Sequence, residues 1–205
     1  MFVWDVDPVL LRFGPVQVRY YGVFFGLTLL GGFLLWRWQM LRAGRSEEQA
    51  QRFLVLGLAG VVIGSKVGHV LFYRPDTLLH DPLEVLAFWK GGLSSHGATL
   101  GLIAALTYFA HREKMRFADV ADRLAMSIAW GATLVRVGNL FNSEIVGRVT
   151  GVPWAVKFPR HDLGLPLARV PWRHPSQLYE VAIGLFVLFI LYAVDRRLGE
   201  ERPVG

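Results

Sequence analysis

Cysteine is absent from the 205 residues, and charged residues are scarce at 19%. Without cysteine the chain has no disulfides, no thiolate metal ligands and no cysteine nucleophile of its own. Soluble domains usually carry about 25% charged residues. The low charge, together with 53% hydrophobic residues, therefore argues against a soluble monomer and against disorder.

The motifs of several common site classes are also missing. The chain has no glycine-rich nucleotide loop, no HExxH pair and no nucleophile elbow. Three histidines could in principle gather around a metal ion, but their spacing indicates no metal site: His69, His96 and His174. No metal and no cofactor are therefore expected from the sequence.

The net charge of +6 is compatible with two kinds of partner. A basic balance can indicate nucleic acid. Here the cations flank apolar runs, which favours anionic lipid headgroups. The seven Trp, 14 Phe and six Tyr fit anchoring at a membrane interface. We expect membrane lipids, and no nucleic acid, as partners.

Five segments are apolar and long enough to cross a bilayer, which takes about 20 residues in a helix. They run at about 20–38, 53–73, 93–110, 117–135 and 178–194. The first is expected to be a retained span, because the N-terminus lacks the basic region and cleavage site of a signal peptide. A longer stretch, 136–177, is expected to form an extramembrane head. The sequence predicts an all-α polytopic membrane protein with a single transmembrane domain.

Basic residues in the short loops predict the orientation of these spans. With the N-terminus outside, the inside loops hold ten basic residues and the short outside segments hold four. The long stretch adds six more outside, which brings the full count to ten on each side. We favour an outside N-terminus and a cytoplasmic C-terminus, because the short loops alone carry more basic residues on the inside. The long stretch is set aside in this count because its residues indicate a functional role.

The second span contains two ionisable residues and a run of glycines. Lys66 and His69 are three residues apart and therefore share a helix face. Snorkelling, a helix–helix hydrogen bond and a functional role all remain open for them. Small residues spaced by three and four favour close helix packing, and this spacing is found at Gly57, Gly60, Gly64 and Gly68.

His96 begins the third span, in the motif WKGGLSSHG at 89–97. A lone histidine is often structural. The small residues around this one would let a ligand headgroup approach the imidazole, which suits general-base chemistry near neutral pH. Both interpretations remain open at this point.

The densest polar cluster follows the fourth span, in RVGNLFNSEIVG at 136–147. Arginine forks match phosphate oxygens, and asparagine amides can bind phosphate or hydroxyl groups. A solvated loop is the alternative. The polar side chains are Arg136, Asn139, Asn142 and Glu144, while Gly138 and Gly147 permit close backbone approach.

A second polar motif, RHPSQLYE at 173–180, leads into the fifth span. Pro175 suits a first helical turn, and Ser176 offers a capping hydroxyl. Gln177, Tyr179 and Glu180 then enter the membrane region.

These motifs together carry a resemblance to the prolipoprotein diacylglyceryl transferase family. Six stretches match in the family's order: FGPVQVRYYG, GSKVGHVLFY, WKGGLSSHG, RVGNLFNSEIVGR, VPWAV and RHPSQLYE. The family moves a diacylglyceryl group from phosphatidylglycerol to the lipobox cysteine thiol of a preprolipoprotein signal peptide, in the bacterial inner membrane. The resemblance implies that the head segment is periplasmic, that His96 and Arg136 are catalytic, and that the substrate is bound by Tyr21, Asn139, Asn142, Glu144 and Gly147.

The family's chains continue with two further spans that these 205 residues do not include. The resemblance is therefore to a short or C-terminally truncated member. Two alternatives to the transferase activity stay open: a catalytically impaired lipid-binding membrane protein of the same fold, and a related lipid transferase with a different acceptor.

Overall fold

The computed structural model describes residues 1–76, 80, 92 and 94–198. Five helices occur within these residues: α1 (Tyr20–Arg42), α2 (Glu47–Tyr73), α3 (Ser95–Arg112), α4 (Phe117–Asn142) and α5 (Ser176–Leu198). Five short strands accompany them: β1 (Phe2–Val3), β2 (Val9–Phe13), β3 (Val16–Arg19), β4 (Val156–Lys157) and β5 (Trp172–Arg173). The mostly helical architecture confirms the predicted fold class, although the short strands were not predicted.

Four of the described helices are long and apolar enough to cross a membrane: α1, α2, α4 and α5. The protein is therefore a multi-pass membrane protein. Helix α3 covers most of the third predicted span but is not among the four. Its 18 residues include His96, His111 and Arg112, which lower its mean hydropathy. The count of five spans remains a prediction.

Two helices extend well beyond the predicted spans. Helix α4 ends at Asn142 rather than near Val135, so the first part of the expected head segment is helical. Helix α2 begins at Glu47, ahead of the expected start at Phe53. Its start is fixed by a capping box, in which Ser46 accepts from the backbone N–H of Gln49 and the Gln49 side chain accepts from the N–H of Ser46.

The described residues divide into two compact units. One unit contains Met1–Leu35 and the described residues from Ala125 onward, and the other contains Trp36–Leu124. Helices α1 and α4 each contribute residues to both units. The unit around Trp36–Leu124 is called the glycine unit below, and the other is called the head unit.

Helices α2 and α3 of the glycine unit approach closely where glycines of the two helices face each other. A Cβ atom on Gly60 would lie 2.5 Å from the carbonyl oxygen of Gly101, and one on Gly68 would lie 2.5 Å from Cα of Gly97. A Cβ atom on Gly64 would overlap the carbonyl oxygen of Gly97. The predicted packing role of this glycine run is confirmed, and the approach is closer than any side chain would allow.

Three aromatic rings form part of the remaining core of the glycine unit. The ring of Trp36 lies 4.4 Å from that of Phe53 and 5.8 Å from that of Phe109, measured between centroids. Lys66 is also buried, with 2% of its surface exposed. It therefore does not snorkel out of the protein.

In the head unit, two small sheets flank the ends of the helices. Strand β4 pairs in parallel with β1 and antiparallel with β5, while β2 and β3 form a hairpin. Leu140 at the end of α4 joins Val156 and Phe158 in a small core against which Trp4 and Val146 pack. This core attaches the segment between α4 and α5 to the end of α4.

Candidate active site

The last turns of α4 present three polar side chains on one face. Arg136, Asn139 and Asn142 are spaced by three, so a helix brings them side by side. The sequence placed them in an extramembrane segment, whereas the structure places them on the helix itself. Asn139 is buried, and Arg136 and Asn142 are partly buried.

A continuous chain of polar contacts runs through this face. Arg136 Nε forms an ion pair with Glu180 Oε2 on α5 at 2.6 Å, and its Nη1 donates to Asn139 Oδ1 at 3.4 Å. Glu144 then accepts from the amides of Asn139 and Asn142, each at 3.3 Å. Four of the predicted site residues are therefore joined in one network.

The turn after α4 holds Glu144 in place. Ser143 and Ile145 both adopt positive φ angles, of 55° and 54°, which are uncommon for residues other than glycine. The N–H of Glu144 donates to the carbonyl of Asn139 at 2.9 Å. The start of α5 completes the support, because the side chain of Gln177 donates to the carbonyl of Glu144 at 2.6 Å.

The prediction for the start of α5 was wrong in detail. The helix begins at Ser176, and the carbonyl of Pro175 accepts from the N–H groups of Leu178 and Tyr179. Pro175 therefore caps the helix instead of lying in its first turn. The Ser176 hydroxyl donates to the carbonyl of Ile145 at 2.6 Å and so fastens the turn after α4 to α5.

Two glycines near the network permit close contacts, as predicted. A Cβ atom on Gly138 would lie 2.9 Å from the ring of Tyr21, so the predicted residue Tyr21 lies flat against the same stretch of α4. A Cβ atom on Gly147 would lie 2.7 Å from the carbonyl oxygen of His174, which also accepts from the N–H of Gly147 at 3.0 Å. Gly147 thus has a structural reason to lack a side chain.

Phe141 lies in an aromatic cluster at the same end of α4. Its ring stacks on Tyr20 with centroids 4.3 Å apart and lies 5.5 Å from Phe24 and 5.4 Å from Trp4. The beginning of α1 and the end of α4 are therefore at the same level. The polar network, the N-terminal segment and the loop between α4 and α5 consequently share one side of the membrane.

A separate apolar groove lies further along α1, α4 and α5. Its volume is about 650 Å³. Trp130 on α4 lines it six residues before Arg136, a rise of about 9 Å along a helix. Leucine and aromatic residues of α1 and α5 form the other walls, among them Leu27, Leu30, Leu185, Leu188 and Phe189.

His96 belongs to the glycine unit, where it lies in the first turn of α3. It is exposed and lines a cavity of about 660 Å³ with Phe72, Tyr73, Thr99 and Leu100. Ser94 caps the helix by accepting from the N–H of Gly97, and the Ser94 N–H donates to the carbonyl of Ser65 at 2.9 Å. The preceding part of the motif, at 89–91 and 93, lies outside the described residues.

Two residues of this region were not assigned a role from the sequence. Glu180 is the ion-pair partner of Arg136, and a carboxylate inside an apolar span was the signal that a cationic partner should be sought. The hydroxyl of Tyr179 accepts from Trp154 Nε1 at 2.7 Å and lies 3.0 Å from His174 Nδ1. No local spacing in the sequence predicts that contact.

The loop between α4 and α5 has its own ion pair. Arg173 donates to both carboxylate oxygens of Asp162, at 2.8 and 3.1 Å. These hydrogen bonds hold the pKa of Asp162 below its usual value and raise the pKa of Arg173. Among the described residues no group of three or more His, Asp or Glu side chains could hold a metal ion.

Comparison with known proteins identifies the family. The family model for prolipoprotein diacylglyceryl transferase matches residues 8–204. The chain belongs to the prolipoprotein diacylglyceryl transferase family. This result confirms the resemblance of the sequence motifs.

Several bacterial relatives of the family are similar over nearly the whole chain. Proteins named phosphatidylglycerol–prolipoprotein diacylglyceryl transferase from Vibrio cholerae and Vibrio campbellii are each 42% identical to it over 98% of its length. The one from Vibrio atlanticus is 40% identical over the same share. The chain covers 72%, 71% and 71% of these three proteins, respectively.

Proposed function

We propose that this protein transfers a diacylglyceryl group from phosphatidylglycerol to the lipobox cysteine thiol of a preprolipoprotein. In this reaction the thiol sulfur attacks the glyceryl carbon that bears the phosphate. A C–S bond forms, the C–O bond to the phosphate breaks, and glycerol phosphate leaves. The thiol proton passes to a base on the protein. The nucleophile belongs to the substrate, so a chain without cysteine can form the thioether.

The strongest support is the position of Arg136 in the polar network between α4 and α5, two helices that also line an apolar groove. Glu180 pairs with Nε and Asn139 contacts Nη1, so side chains of α4 and α5 orient the guanidinium. Arginine has five N–H donors, and a guanidinium oriented in this way can donate to a phosphate oxygen as well. As the C–O bond breaks, negative charge grows on that oxygen, and a fixed cation stabilises the transition state.

The groove supports a diacylated substrate. It is lined by leucine and aromatic side chains of α1, α4 and α5 and begins about 9 Å along α4 from Arg136. A lipid with its phosphate at Arg136 would extend an acyl chain along these side chains. A free glycerol phosphate would gain nothing from such a surface.

Two acceptor atoms near Glu144 fit a hydroxylated headgroup. Asn142 Oδ1 and Gln177 Oε1 are buried and have no hydrogen-bond partner among the described residues. Buried acceptors without a donor are costly. The glycerol headgroup of phosphatidylglycerol carries two hydroxyl donors, so we assign these acceptors to substrate binding with Tyr21, Asn139 and Glu144.

We propose His96 as the base that takes the thiol proton. The thiolate is the reactive form of the nucleophile, and an imidazole can take up its proton near neutral pH. His96 is exposed to a cavity with apolar walls, which suits the arrival of a signal peptide.

We further propose that the N-terminus and the head segment face the periplasm and the C-terminus faces the cytoplasm of the bacterial inner membrane. Basic residues in the short loops support this orientation, and the stacking of Tyr20 on Phe141 gives the N-terminal segment and the head a common side. Because the chain lacks cysteine, Gln17→Cys and Glu48→Cys, both at exposed positions, provide matched probes for a membrane-impermeant maleimide. Labelling of residue 48 alone in intact spheroplasts would reverse the orientation.

The activity is tested with purified protein in vesicles that contain phosphatidylglycerol labelled in its acyl chains. A lipobox peptide is added, and the control peptide carries serine in place of the cysteine. We expect label on the cysteine peptide only. Lipid that stays bound to the protein but is never transferred would establish a lipid-binding protein instead, and label on a different acceptor would establish another transferase.

A further inference from the structure

The β2–β3 hairpin is amphipathic. Leu11 lies opposite Val18 and Phe13 lies opposite Val16, and directly opposed residues of an antiparallel pair share a face. The intervening pair, Arg12 and Gln17, lies on the other face. One face of the hairpin is therefore formed by four apolar side chains near the tip, and Arg12 and Gln17 lie on the other; beyond a bulge, Val9 lies opposite Arg19.

Three of the four side chains on the apolar face are exposed in the part of the chain that the structure describes. The exposed fraction is 49% for Leu11, 64% for Phe13 and 60% for Val16, while Val18 is partly buried. In water such a face would be unfavourable, since each of these side chains gains about 1.5–3 kcal/mol when buried. An apolar environment such as lipid would therefore suit this face.

The hairpin is held directly at the start of a membrane span. Strand β3 ends at Arg19 and α1 begins at the next residue, Tyr20. The N–H of Tyr20 donates to the carbonyl of Pro8, and Asp7 binds both the N–H of Val9 and the Arg12 guanidinium. Because no linker separates the hairpin from α1, these contacts keep the hairpin at the level where α1 enters the bilayer.

The polar face carries two exposed arginines, Arg12 and Arg19, which the register places on the same face. Asp7 pairs with Arg12, so the net positive charge of this face rests on Arg19. Arginine at the level of lipid headgroups is attracted by anionic phosphates. Apolar side chains and cations at this level are the combination that anchors peripheral segments in a membrane interface.

We propose that the β2–β3 hairpin inserts its apolar face into the anionic lipid interface around the helices, with Phe13 and Val16 at its tip in contact with acyl chains. The hairpin then anchors the protein in the bilayer on the side where the Arg136 network lies. This role is independent of the reaction that the network supports, so its failure would leave the proposed activity untouched.

Nitroxide labels at single cysteines test the insertion, because the natural chain contains no cysteine. Val16→Cys and Gln17→Cys are neighbours on opposite faces and form the matched pair, and Phe13→Cys repeats the apolar position. In vesicles of phosphatidylglycerol and phosphatidylcholine, we expect collisions with oxygen to dominate at residues 13 and 16. Collisions with an aqueous nickel chelate should dominate at residue 17.

Three outcomes would overturn the proposal. Equal nickel accessibility at all three positions would show that the face stays in water. Immobilisation of the label at residue 13 only after a lipobox peptide is added would identify a peptide-binding strand. Spin–spin broadening that grows with protein density would identify a second copy of the chain. Unchanged thermal unfolding of each variant in detergent is the control for folding.

Discussion

Helices α2 and α5 are both apolar spans, but they are held in contrasting ways. In its most apolar window α2 is 28% buried, whereas α5 is only 6% buried. Helix α2 meets α3 along glycines whose backbones touch. Helix α5 is fastened by polar contacts at its first turns, through Ser176, Gln177 and Glu180.

The difference follows from the solvent. In lipid, apolar side chains gain little by leaving the acyl chains, so helices associate through close packing or through polar contacts. The α2–α3 pair associates through close packing, and its candidate base, His96, lies in the first turn of α3. The α4–α5 pair uses both close packing and polar contacts: a Cβ atom on Gly184 would overlap Thr133 Oγ1, and the ion pair of Arg136 with Glu180 belongs to the candidate phosphate site.

The largest expected effect is on the rate of diacylglyceryl transfer when His96 of the glycine unit is replaced. His96→Asn removes the candidate base but keeps a polar side chain of similar reach, and general-base catalysis typically contributes about 10²–10⁴-fold. We expect transfer to the lipobox peptide to fall by that order. An unchanged rate in His96→Asn would make His96 structural.

Arg136→Ala addresses the polar network in the same assay. Loss of a fixed group that stabilises developing charge typically costs about 10²–10³-fold, so we expect turnover to fall at least about a hundredfold. Arg148→Ala is the matched control, because Arg148 is an exposed arginine of the head unit. Near-wild-type turnover in Arg136→Ala, or equal losses in the two variants, would remove the phosphate-binding role of Arg136.

The close packing of α2 against α3 is tested by replacing glycine with alanine at two positions of α2. A Cβ atom on Gly64 would overlap the carbonyl oxygen of Gly97, whereas one on Gly57 would meet only side chains, at 3.6 Å or more. We expect Gly64→Ala to destabilise by about 1–3 kcal/mol and Gly57→Ala to stabilise by about 0.4–1 kcal/mol. Thermal unfolding in detergent measures both changes in stability. Equal unfolding midpoints for the two variants would mean that the contact between α2 and α3 tolerates a methyl group at residue 64.

Much of the helical framework could be predicted from the sequence because long apolar runs are a strong local signal. The small-residue spacing from Gly57 to Gly68 likewise predicted packing, since periodicity alone brings these residues to one face. The ends of the helices were harder. Arg136, Asn139 and Asn142 are polar, so hydropathy placed them outside the span, yet their spacing of three suits the helix that the structure shows.

The site was predictable only in part, for a physical reason. The polar residues of 136–147 are close in sequence, and a local motif sufficed to group them. Glu180 reaches Arg136 from another helix, and such a contact depends on how α4 and α5 pack. The hairpin at Val9–Arg19 was missed because its strands are four or five residues long and the tip is a single Gly-Pro turn.

The smallest expected effect concerns the ion pair of Asp162 with Arg173 in the head unit. The pKa of Asp162 is lowered from the usual value of 3.8. The stability that the ion pair contributes is therefore fully present above pH 3.8 and is lost as the pH falls through the lower pKa of the folded state. Both side chains are mostly buried, with 13% and 19% exposed, and hydrogen bonds to charged groups contribute about 1.5–3 kcal/mol. Asp162→Asn should therefore lower the stability of the protein in detergent by about 1–2 kcal/mol at neutral pH, and by progressively less as the wild-type carboxylate takes up its proton. A stability difference that is independent of pH would show that the Asp162 charge has no part in stabilising the loop between α4 and α5.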